Sequence, residues 1–198
     1  MTSADDRRPL PEDALYDDTH APEDGVAERF VEAMSSLAAA VSVIAVTSPR
    51  SGRAGLTATA VTSLSAEPPM LVACLNRSSS LAKALPTTGW FSVNVLAADQ
   101  QDVAEVFAGR TGLSGEDRFS AGTWRVHPHG VPVLEGAAAT FVCHVGNSMH
   151  QSTHTVVIGS VHDVVLPPGD APTPLMYHRR RFVTLGATPP AAPPVTPR

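Results

Sequence analysis

The sequence predicts a mainly β protein, an antiparallel β-barrel with a few peripheral helices. Runs of apolar and β-branched residues indicate six to seven strands, against only three short helices. The strands do not alternate regularly with the helices, as a doubly wound parallel sheet would require. A sheet with so few covering helices is best closed as an antiparallel barrel.

The segment up to residue 76 predicts one helix followed by three strands. Apolar residues at helical spacing predict a short amphipathic helix over 26–37. The β-branched segment 41–48 predicts a strand, and a turn with two glycines leads into a second strand over 55–67. A double proline ends that strand, and the apolar run 70–76 predicts the next one.

The middle of the chain predicts two helices on either side of a strand. Segment 78–89 begins with serines and ends at proline and glycine, which is typical of a short capped helix. The apolar segment 90–98 predicts a strand. A helix follows over 99–109, with Asp99 as its N-cap and Gly109 after its last apolar turn.

The remaining segments predict one irregular region and three strands. Residues 110–123 are rich in glycine and charge and show no regular pattern. Segments 136–150 and 154–166 predict two long strands joined by a polar turn, and 174–185 predicts the last strand. No internal repeat is present.

The charge is concentrated at the N-terminus. The 198 residues carry a net charge of −5, whereas residues 1–29 alone hold nine acids and three bases, a balance of −6. We therefore expect an acidic, disordered or loosely docked arm over 1–23 and one folded domain over 24–186. The last residues, 187–198, are rich in proline and predict an extended, disordered tail.

Composition and motifs exclude several classes of protein. The acidic balance argues against a general nucleic-acid binder, and no apolar stretch is long enough for a transmembrane helix. The N-terminus has no apolar signal-peptide core, so we expect a cytoplasmic protein. Neither a GxGxxG nor a GxxxxGK[ST] motif is present, so the classical dinucleotide-binding and P-loop folds are not supported. GxSxG is also absent, so an α/β-hydrolase is not supported.

The histidines and cysteines of the sequence form no pattern that predicts a metal site or a redox pair. Their spacing matches no tight ligand motif, so no metal site is predicted, and the two cysteines are expected to be buried free thiols. The residues concerned are His127, His129, His144, His150, His154, His162, Cys74 and Cys143.

Three segments are candidates for ligand binding. Segment 55–63 places small and hydroxyl side chains on a strand, which lets a planar ligand approach the backbone, although a plain threonine-rich strand has the same pattern. Segment 76–80, with the chain's single lysine Lys83 in the following helix, suits a phosphate, or is an ordinary serine-capped helix. His154 and the arginines of 177–181 could bind phosphates or carboxylates, or form a solvated basic edge.

Taken in order, these segments resemble the short-chain flavin reductase family, the reductase components of two-component flavin-dependent monooxygenases. No single piece is specific, whereas seven pieces in the same order and spacing are. The resemblance runs from about Phe30 to Leu185 and rests on VSVIAVT, GLTATAVTSLSAEPPMLVACLNRSSS, WFSVNVLAADQQDVAEVFAG, DRF, PVLEGAAATFVCHV, HTVVIGSV and PLMYHRRRF.

The resemblance implies an FMN-binding split β-barrel, antiparallel and Greek-key-like, which binds flavin at a homodimer interface. It implies an NAD(P)H-dependent flavin reductase that transfers hydride from NADH or NADPH to FAD or FMN. The reduced flavin would pass to a partner flavin-dependent monooxygenase, in natural-product biosynthesis or aromatic degradation. The use of nicotinamide without a Rossmann domain would explain the missing glycine motif.

The resemblance also assigns roles to individual residues. His154 would be the catalytic residue, as a group that positions the nicotinamide. The cofactor-binding residues would be Thr57, Ala58, Thr59, Thr62 and Ser63 along the isoalloxazine edge; Asn76, Arg77, Ser78, Ser79 and Lys83 at the phosphate; Phe107 and Arg110 near the flavin tail; and Tyr177, Arg179, Arg181 and Phe182 facing the nicotinamide.

The sequence departs from the family pattern at three places. Thr59 stands where the family often has Asn, Thr153 stands where an acid usually precedes the histidine, and Arg180 replaces a glycine. A non-catalytic flavin- or haem-binding split barrel and an enzyme resembling pyridoxamine-phosphate oxidase are the alternatives. The choices between FMN and FAD, and between NADH and NADPH, stay open.

Overall fold

The structure is a computed structural model that describes residues 23–170 and 172–186, so the predicted tail and all of the predicted arm except Glu23 lie outside it. The chain divides into two compact units between Ser36 and Leu37. In the first unit, helix α1 (Val26–Ser35) confirms the predicted helix. It begins after Gly25, whose φ of 75° is left-handed, and none of its residues is buried.

The second unit consists mainly of strands, which confirms the predicted mainly β, antiparallel class: every strand pair that the structure describes is antiparallel. In chain order its elements are β1 (Ala39–Ala40), β2 (Ser42–Ser48), β3 (Gly52–Ala58), β4 (Val61–Ala66), β5 (Pro69–Asn76), α2 (Ser80–Thr88), β6 (Trp90–Val95), α3 (Gln101–Phe107), a 3₁₀ helix (Gly115–Ser120), β7 (Trp124–Val126), β8 (Pro132–Leu134), β9 (Ala139–Gln151), β10 (His154–Val165), β11 (Leu175–His178) and β12 (Arg181–Thr184).

Four predicted details were wrong. The strand predicted over 55–67 is two strands, and the one predicted over 174–185 is a hairpin. The N-cap of α3 is Gln100 rather than Asp99. The short strands β7 and β8 were not predicted, because a strand of three residues gives too little alternation to recognise.

The seven-stranded sheet has the order β3-β2-β6-β9-β10-β5-β4. Its two edge strands, β3 and β4, are nevertheless consecutive in the chain and are joined only by Thr59 and Ala60. Because so short a link spans about 10 Å at most, the end of β3 on one edge must lie close to the start of β4 on the other. The sheet is therefore curled into a barrel that is left open at a seam, where β3 and β4 meet without pairing.

Two buried clusters lie on the two faces of β3. Ala54 and Ala58 belong to a cluster that includes Leu81 and Leu85 of α2. On the other face, Gly55 lies against the ring of Phe107, at the end of α3. The seam is thus flanked by α2 on one side of β3 and by α3 on the other.

A buried amide ties several strands together inside the second unit. Asn94 on β6 is fully buried, and its side chain satisfies groups from three other segments. It donates to the Val43 carbonyl (3.1 Å) and accepts from the Leu134 N–H (2.9 Å) and the Thr140 hydroxyl (3.0 Å). Because both ends of the amide are paired, this polar group fixes the mutual arrangement of the strands without an unmet hydrogen bond.

Candidate functional site

A polar cavity of about 540 Å³ opens at the seam of the barrel. Its walls come from the end of β3, the end of β5, the start of α2, the end of α3, the 3₁₀ helix and the start of β10. The lining residues are Leu56, Thr57, Ala58, Thr59, Ala60, Cys74, Asn76, Ser78, Ser79, Ser80, Phe107, Ala108, Arg118 and His154. Eight of the predicted site residues are therefore brought together.

The β3 wall is made of small side chains and exposed backbone. Ala58 and Ala60 contribute only methyl groups, so a flat ligand can approach the main chain closely. The hydroxyl of Thr57 donates to the Ala104 carbonyl at 2.7 Å, so its hydrogen is used within the protein. Thr57 can therefore offer a ligand only a lone pair or its backbone, whereas the exposed Thr59 keeps its hydroxyl free within the described part of the chain.

A tight turn before α2 arranges hydroxyl groups at the opposite wall. Asn76 Oδ1 accepts from the N–H of Ser78 (2.9 Å) and from its hydroxyl (2.7 Å). The Ser79 hydroxyl donates to the Asn76 carbonyl (2.7 Å) and accepts from the Ala82 N–H (3.1 Å), which makes Ser79 the N-cap of the helix.

The first turn of α2 leaves two donors of Ser80 for a ligand. The N–H and the hydroxyl of this exposed residue donate to no acceptor within the residues that the structure describes. They lie at the positive end of a nine-residue helix, whereas the hydroxyls of Ser78 and Ser79 already donate to Asn76. An anionic group such as a phosphate is favoured at such a helix end.

Two cations predicted at the phosphate lie beside the cavity rather than in its wall. Arg77 donates from Nη1 to the Ser152 carbonyl at 3.1 Å, and it lines an adjoining open hollow of about 580 Å³ together with Asn76 and Ser78. Lys83 is exposed, one turn into α2, and does not line the cavity. Both residues can therefore add only longer-range positive charge unless they move.

His154 stands at the rim of the cavity, where β10 begins. It lies opposite Asn76 on β5, and its Nδ1 is 2.9 Å from the Thr153 hydroxyl. The ring is exposed, and Nε2 has no hydrogen-bond partner among the described residues. Thr153 thus orients the imidazole through a hydrogen bond with its neutral hydroxyl group. The acid expected here from the family pattern would also have added a negative charge.

Thr62 and Ser63 line a different hollow. This second cavity, of about 330 Å³, is mainly apolar and lies against β4 and β5, with Phe141 and Val161 in its wall. The chain reaches Thr62 and Ser63 only after the crossing at Thr59 and Ala60. The two residues therefore do not share the polar cavity with Thr57, Ala58 and Thr59 within one chain.

The C-terminal residues predicted to face the nicotinamide form a separate group. The guanidinium of Arg110 is 3.5 Å from the Tyr177 hydroxyl and 5.7 Å from the centre of the Phe182 ring. Phe107, which was predicted with Arg110 near the flavin tail, lines the polar cavity. Within one chain, Arg110, Tyr177 and Phe182 lie together but outside the cavity wall.

Two arginines form the turn of the C-terminal hairpin. Arg179 and Arg180 have φ values of 46° and 62°, and His178 pairs with Arg181 across the turn. A two-residue turn of this kind needs left-handed backbone at both positions, which Asn and Gly adopt more easily. The turn forms although Arg180 stands where the family pattern has glycine. All three consecutive arginines are exposed.

Arg118 and Ser80 line the cavity but were not among the predicted site residues. Arg118 belongs to the DRF segment, which contributed to the resemblance without receiving a role. A signal was present, because an arginine beside an aromatic residue in a polar, irregular loop suits a binding site. Periodicity could not place that loop against β3, since the two are distant in sequence.

Three histidines contact Trp90. The His129 ring stacks on Trp90 with centroids 3.9 Å apart, while His144 and His162 meet the indole edge-on. Within residues 23–170 and 172–186, no three His, Cys, Asp or Glu side chains are placed to hold a metal ion.

The ionisable groups with shifted pKa values lie outside the cavity wall. A hydrogen bond from His127 (2.9 Å) is the main reason why the pKa of Asp163 lies below its ordinary value. Burial raises the pKa of Cys143 to about 12, which makes this thiol inert. Burial also acts to raise the pKa of Glu116, but the hydrogen bonds and charge of Arg53 outweigh it, so the pKa lies below its ordinary value.

The chain is similar to known proteins over most of its length. Residues 34–186 match the family model described as the flavin reductase like domain. The chain is 43% identical over 160 residues to a Variovorax paradoxus protein named FMN reductase (NADH) RutF, covering 81% of this chain and 86% of the relative.

Solved structures show the same fold. One is BorF, the flavin reductase component of a bacterial two-component tryptophan halogenase, with a TM-score of 0.73 and 29% identity; the match covers 82% of this chain and 99% of BorF. Another is a homologue of nitrilotriacetate monooxygenase component B from Mycobacterium thermoresistibile, with a TM-score of 0.74 and 26% identity; it covers 84% of this chain and 92% of the homologue. In the described part of this chain, no helix is long and apolar enough to span a membrane.

Proposed function

The chain belongs to the flavin reductase-like family, and on that basis we propose that it is an NADH-dependent flavin reductase that releases reduced flavin to a separate flavin-dependent oxygenase. The observation that carries the proposal is the polar cavity at the barrel seam. It offers small side chains on one wall and the unpaired N–H of Ser80, at the start of α2, on the other. The relatives named FMN reductase (NADH) support NADH as the electron donor.

We place a flavin nucleotide in this cavity with its phosphate at α2. The phosphate would lie at the first turn of the helix, where Ser80 presents its free N–H and hydroxyl. Its ring would then lie against the backbone of Ala58–Ala60, where the small side chains of Ala58 and Ala60 leave room for a flat face. Phe107, at the end of α3, would close the far wall with an apolar surface.

Hydride transfer between nicotinamide and flavin is chemistry that the two bound cofactors supply. The protein's own contribution would be orientation, because two rings held face to face react far faster than two that meet by chance. The backbone N–H groups near Thr57–Thr59 would donate to the polar edge of the flavin ring, where negative charge grows on reduction. No side chain of the cavity has to give or take a proton for this step.

His154 would position the nicotinamide at the open side of the cavity. Its ring is exposed, is oriented by Thr153 and leaves Nε2 free among the described residues. These features suit a group that hydrogen-bonds a carboxamide. The role is therefore one of binding rather than proton transfer.

A second copy of the chain would complete the site. Tyr177, Arg179, Arg181 and Phe182 do not line the cavity of their own chain, although the family resemblance assigns them to the nicotinamide. In a homodimer, this hairpin and the hollow with Thr62 and Ser63 would lie at the cavity of the partner subunit. That arrangement would reconcile the roles that the resemblance assigns to these residues with their position outside the cavity of their own chain. Its test is the molecular mass in solution, measured by light scattering with and without flavin.

The reaction is tested by following NADH consumption with no flavin, FMN, FAD or riboflavin present, and with NADPH in a parallel series. We expect oxidation only when a flavin is added, because no group of the described chain can accept hydride by itself. Absence of oxidation with every donor and flavin would refute the proposal. Flavin binding without oxidation would instead favour a non-catalytic flavin store or sensor.

A further inference from the structure

Among the lysines and arginines of the described chain, only Arg118 lines the polar cavity. Building on the proposed function, we propose that Arg118 binds an anionic group of the bound flavin and supplies the cavity's positive charge. A flavin nucleotide has two such groups, its phosphate and, once reduced, the polar edge of its ring. The inference assigns a charged contact to a residue in a loop that the sequence left without a role.

The backbone around Arg118 is held from both sides. The next residue, Phe119, is buried and packs edge-on against Phe107 at 5.0 Å and Trp124 at 5.1 Å. Two residues earlier, Glu116 accepts hydrogen bonds from the backbone N–H (2.8 Å) and the side chain of Arg53. A short 3₁₀ helix fixed at both ends presents its side chain in a defined direction, as a preorganised binding group requires.

The guanidinium of Arg118 has donors to spare and no counter-charge. Nε donates to the Leu113 carbonyl (3.1 Å), and Nη1 makes a long contact with the Gly55 carbonyl (3.4 Å). Within residues 23–170 and 172–186, no carboxylate pairs with it. Because a half-buried cation without a partner is costly, an anion entering the cavity would be bound with the remaining N–H groups.

Arg118 reaches the cavity from the side opposite to α2. Helix α2 packs on the face of β3 that carries Ala54 and Ala58, whereas Phe119, next to Arg118, packs on Phe107, which covers the other face at Gly55. Arg118 itself reaches the Gly55 carbonyl at the edge of β3, so its charge and the Ser80 N–H of α2 meet a ligand from different directions. Such a pair can bind two different anionic groups of one flavin, or grip one group from both sides.

The test measures flavin binding directly, by fluorescence titration of the wild-type chain and of the variants Arg118→Gln, Arg118→Lys, Glu116→Gln and Arg125→Gln. Loss of a charge-assisted contact should weaken binding by about tenfold or more in Arg118→Gln. Arg118→Lys keeps the charge and should recover part of that loss. Arg125→Gln removes an exposed arginine outside the cavity and should bind flavin as wild type does.

The choice of ligand identifies the anion. A loss with FMN but not with riboflavin assigns Arg118 to the phosphate. Equal binding of both oxidised flavins, with a loss for reduced riboflavin under anaerobic conditions, assigns it to the ring. Wild-type binding of all these ligands by Arg118→Gln would overturn the proposal.

Glu116→Gln separates a binding role from a structural one. This substitution removes the charge from the contact with Arg53, keeps an oxygen that can accept from the Arg53 N–H, and changes no atom of Arg118. If it lost as much flavin affinity as Arg118→Gln, the effect would belong to the loop and the proposal would be wrong. NADH oxidation by the wild-type chain is scored separately, so failure of the reductase function and failure of the Arg118 contact give different results.

Discussion

Gly55 is a position where one added methyl group should disturb both the core and the cavity. A Cβ built on Gly55 would lie 2.7 Å and 2.9 Å from two atoms of the Phe107 ring and 3.2 Å from the Ile44 carbonyl oxygen. The carbonyl belongs to the neighbouring strand, and Phe107 is buried between Gly55 and Phe119, so neither can move freely. Overpacking of this kind costs about 1–3 kcal/mol.

The expected result for Gly55→Ala is a lower melting temperature together with weaker flavin binding. At roughly 2–4 °C per kcal/mol for a chain of this size, the midpoint of thermal unfolding should fall by about 2–12 °C. Binding should weaken because Phe107 and the neighbouring Leu56 line the cavity. Circular dichroism measures the first effect and FMN fluorescence titration the second.

Gly146→Ala is the matched control for this experiment. Gly146 is also a strand glycine, but its added Cβ would lie 3.5 Å from the Ile158 carbonyl and from the Ser160 hydroxyl, which is ordinary contact. We expect Gly146→Ala to keep the melting temperature and the FMN affinity of the wild type. If Gly55→Ala matched this control in both measurements, the packing of Phe107 over Gly55 would not define the cavity wall as described.

Four further predictions follow from the fold and the site. His154→Ala should raise KM for NADH more than it lowers kcat, because the imidazole positions the nicotinamide; a collapse of kcat at unchanged KM would contradict this role. Asn94→Ala should lower the free energy of unfolding by on the order of 3 kcal/mol, since it leaves several buried groups unpaired, and denaturant titration measures the loss. In the native chain a thiol reagent should modify Cys74 but not the buried Cys143, and FMN should protect Cys74; two equally reactive thiols would refute the assignment. Deletion of residues 1–23 should leave NADH oxidation intact, so that loss of folding or of activity would show that this segment has a structural role.

The class of fold was predictable because it depends on local patterns. The long strands β9 and β10 and the capped helix α2 follow from alternation, apolar runs and serine caps, which act over a few neighbouring residues. The division of segment 55–67 was not predictable in the same way. Thr59 and Ala60 cross from one edge of the sheet to the other, and no change in local pattern marks that crossing.

The C-terminal hairpin escaped prediction for a different reason. Its turn consists of Arg179 and Arg180 in left-handed conformations, where glycine or asparagine is the usual signal. The pattern of the flanking residues Leu175–His178 and Arg181–Thr184 is that of a single strand. No residue between them therefore signalled a turn. Only pairing between the two halves reveals the turn.

The site was predicted in part. The segments 57–59 and 76–79 could be recognised from small and hydroxyl residues, and the structure places both in one cavity. Thr62 and Ser63 belong to the same sequence pattern but lie beyond the crossing, in another hollow. Arg118 could not be assigned from a local pattern. Its place in the cavity depends on its neighbours Phe119 and Glu116, which are anchored by residues distant in the sequence.

The proposed function depends on where the flavin binds, and a crystal structure of this chain with FMN would locate it. We expect the phosphate within hydrogen-bond distance of the Ser80 N–H, and the ring against the backbone of Ala58–Ala60. FMN seated only in the apolar hollow beside Thr62 and Ser63, or with its phosphate away from α2, would contradict the account.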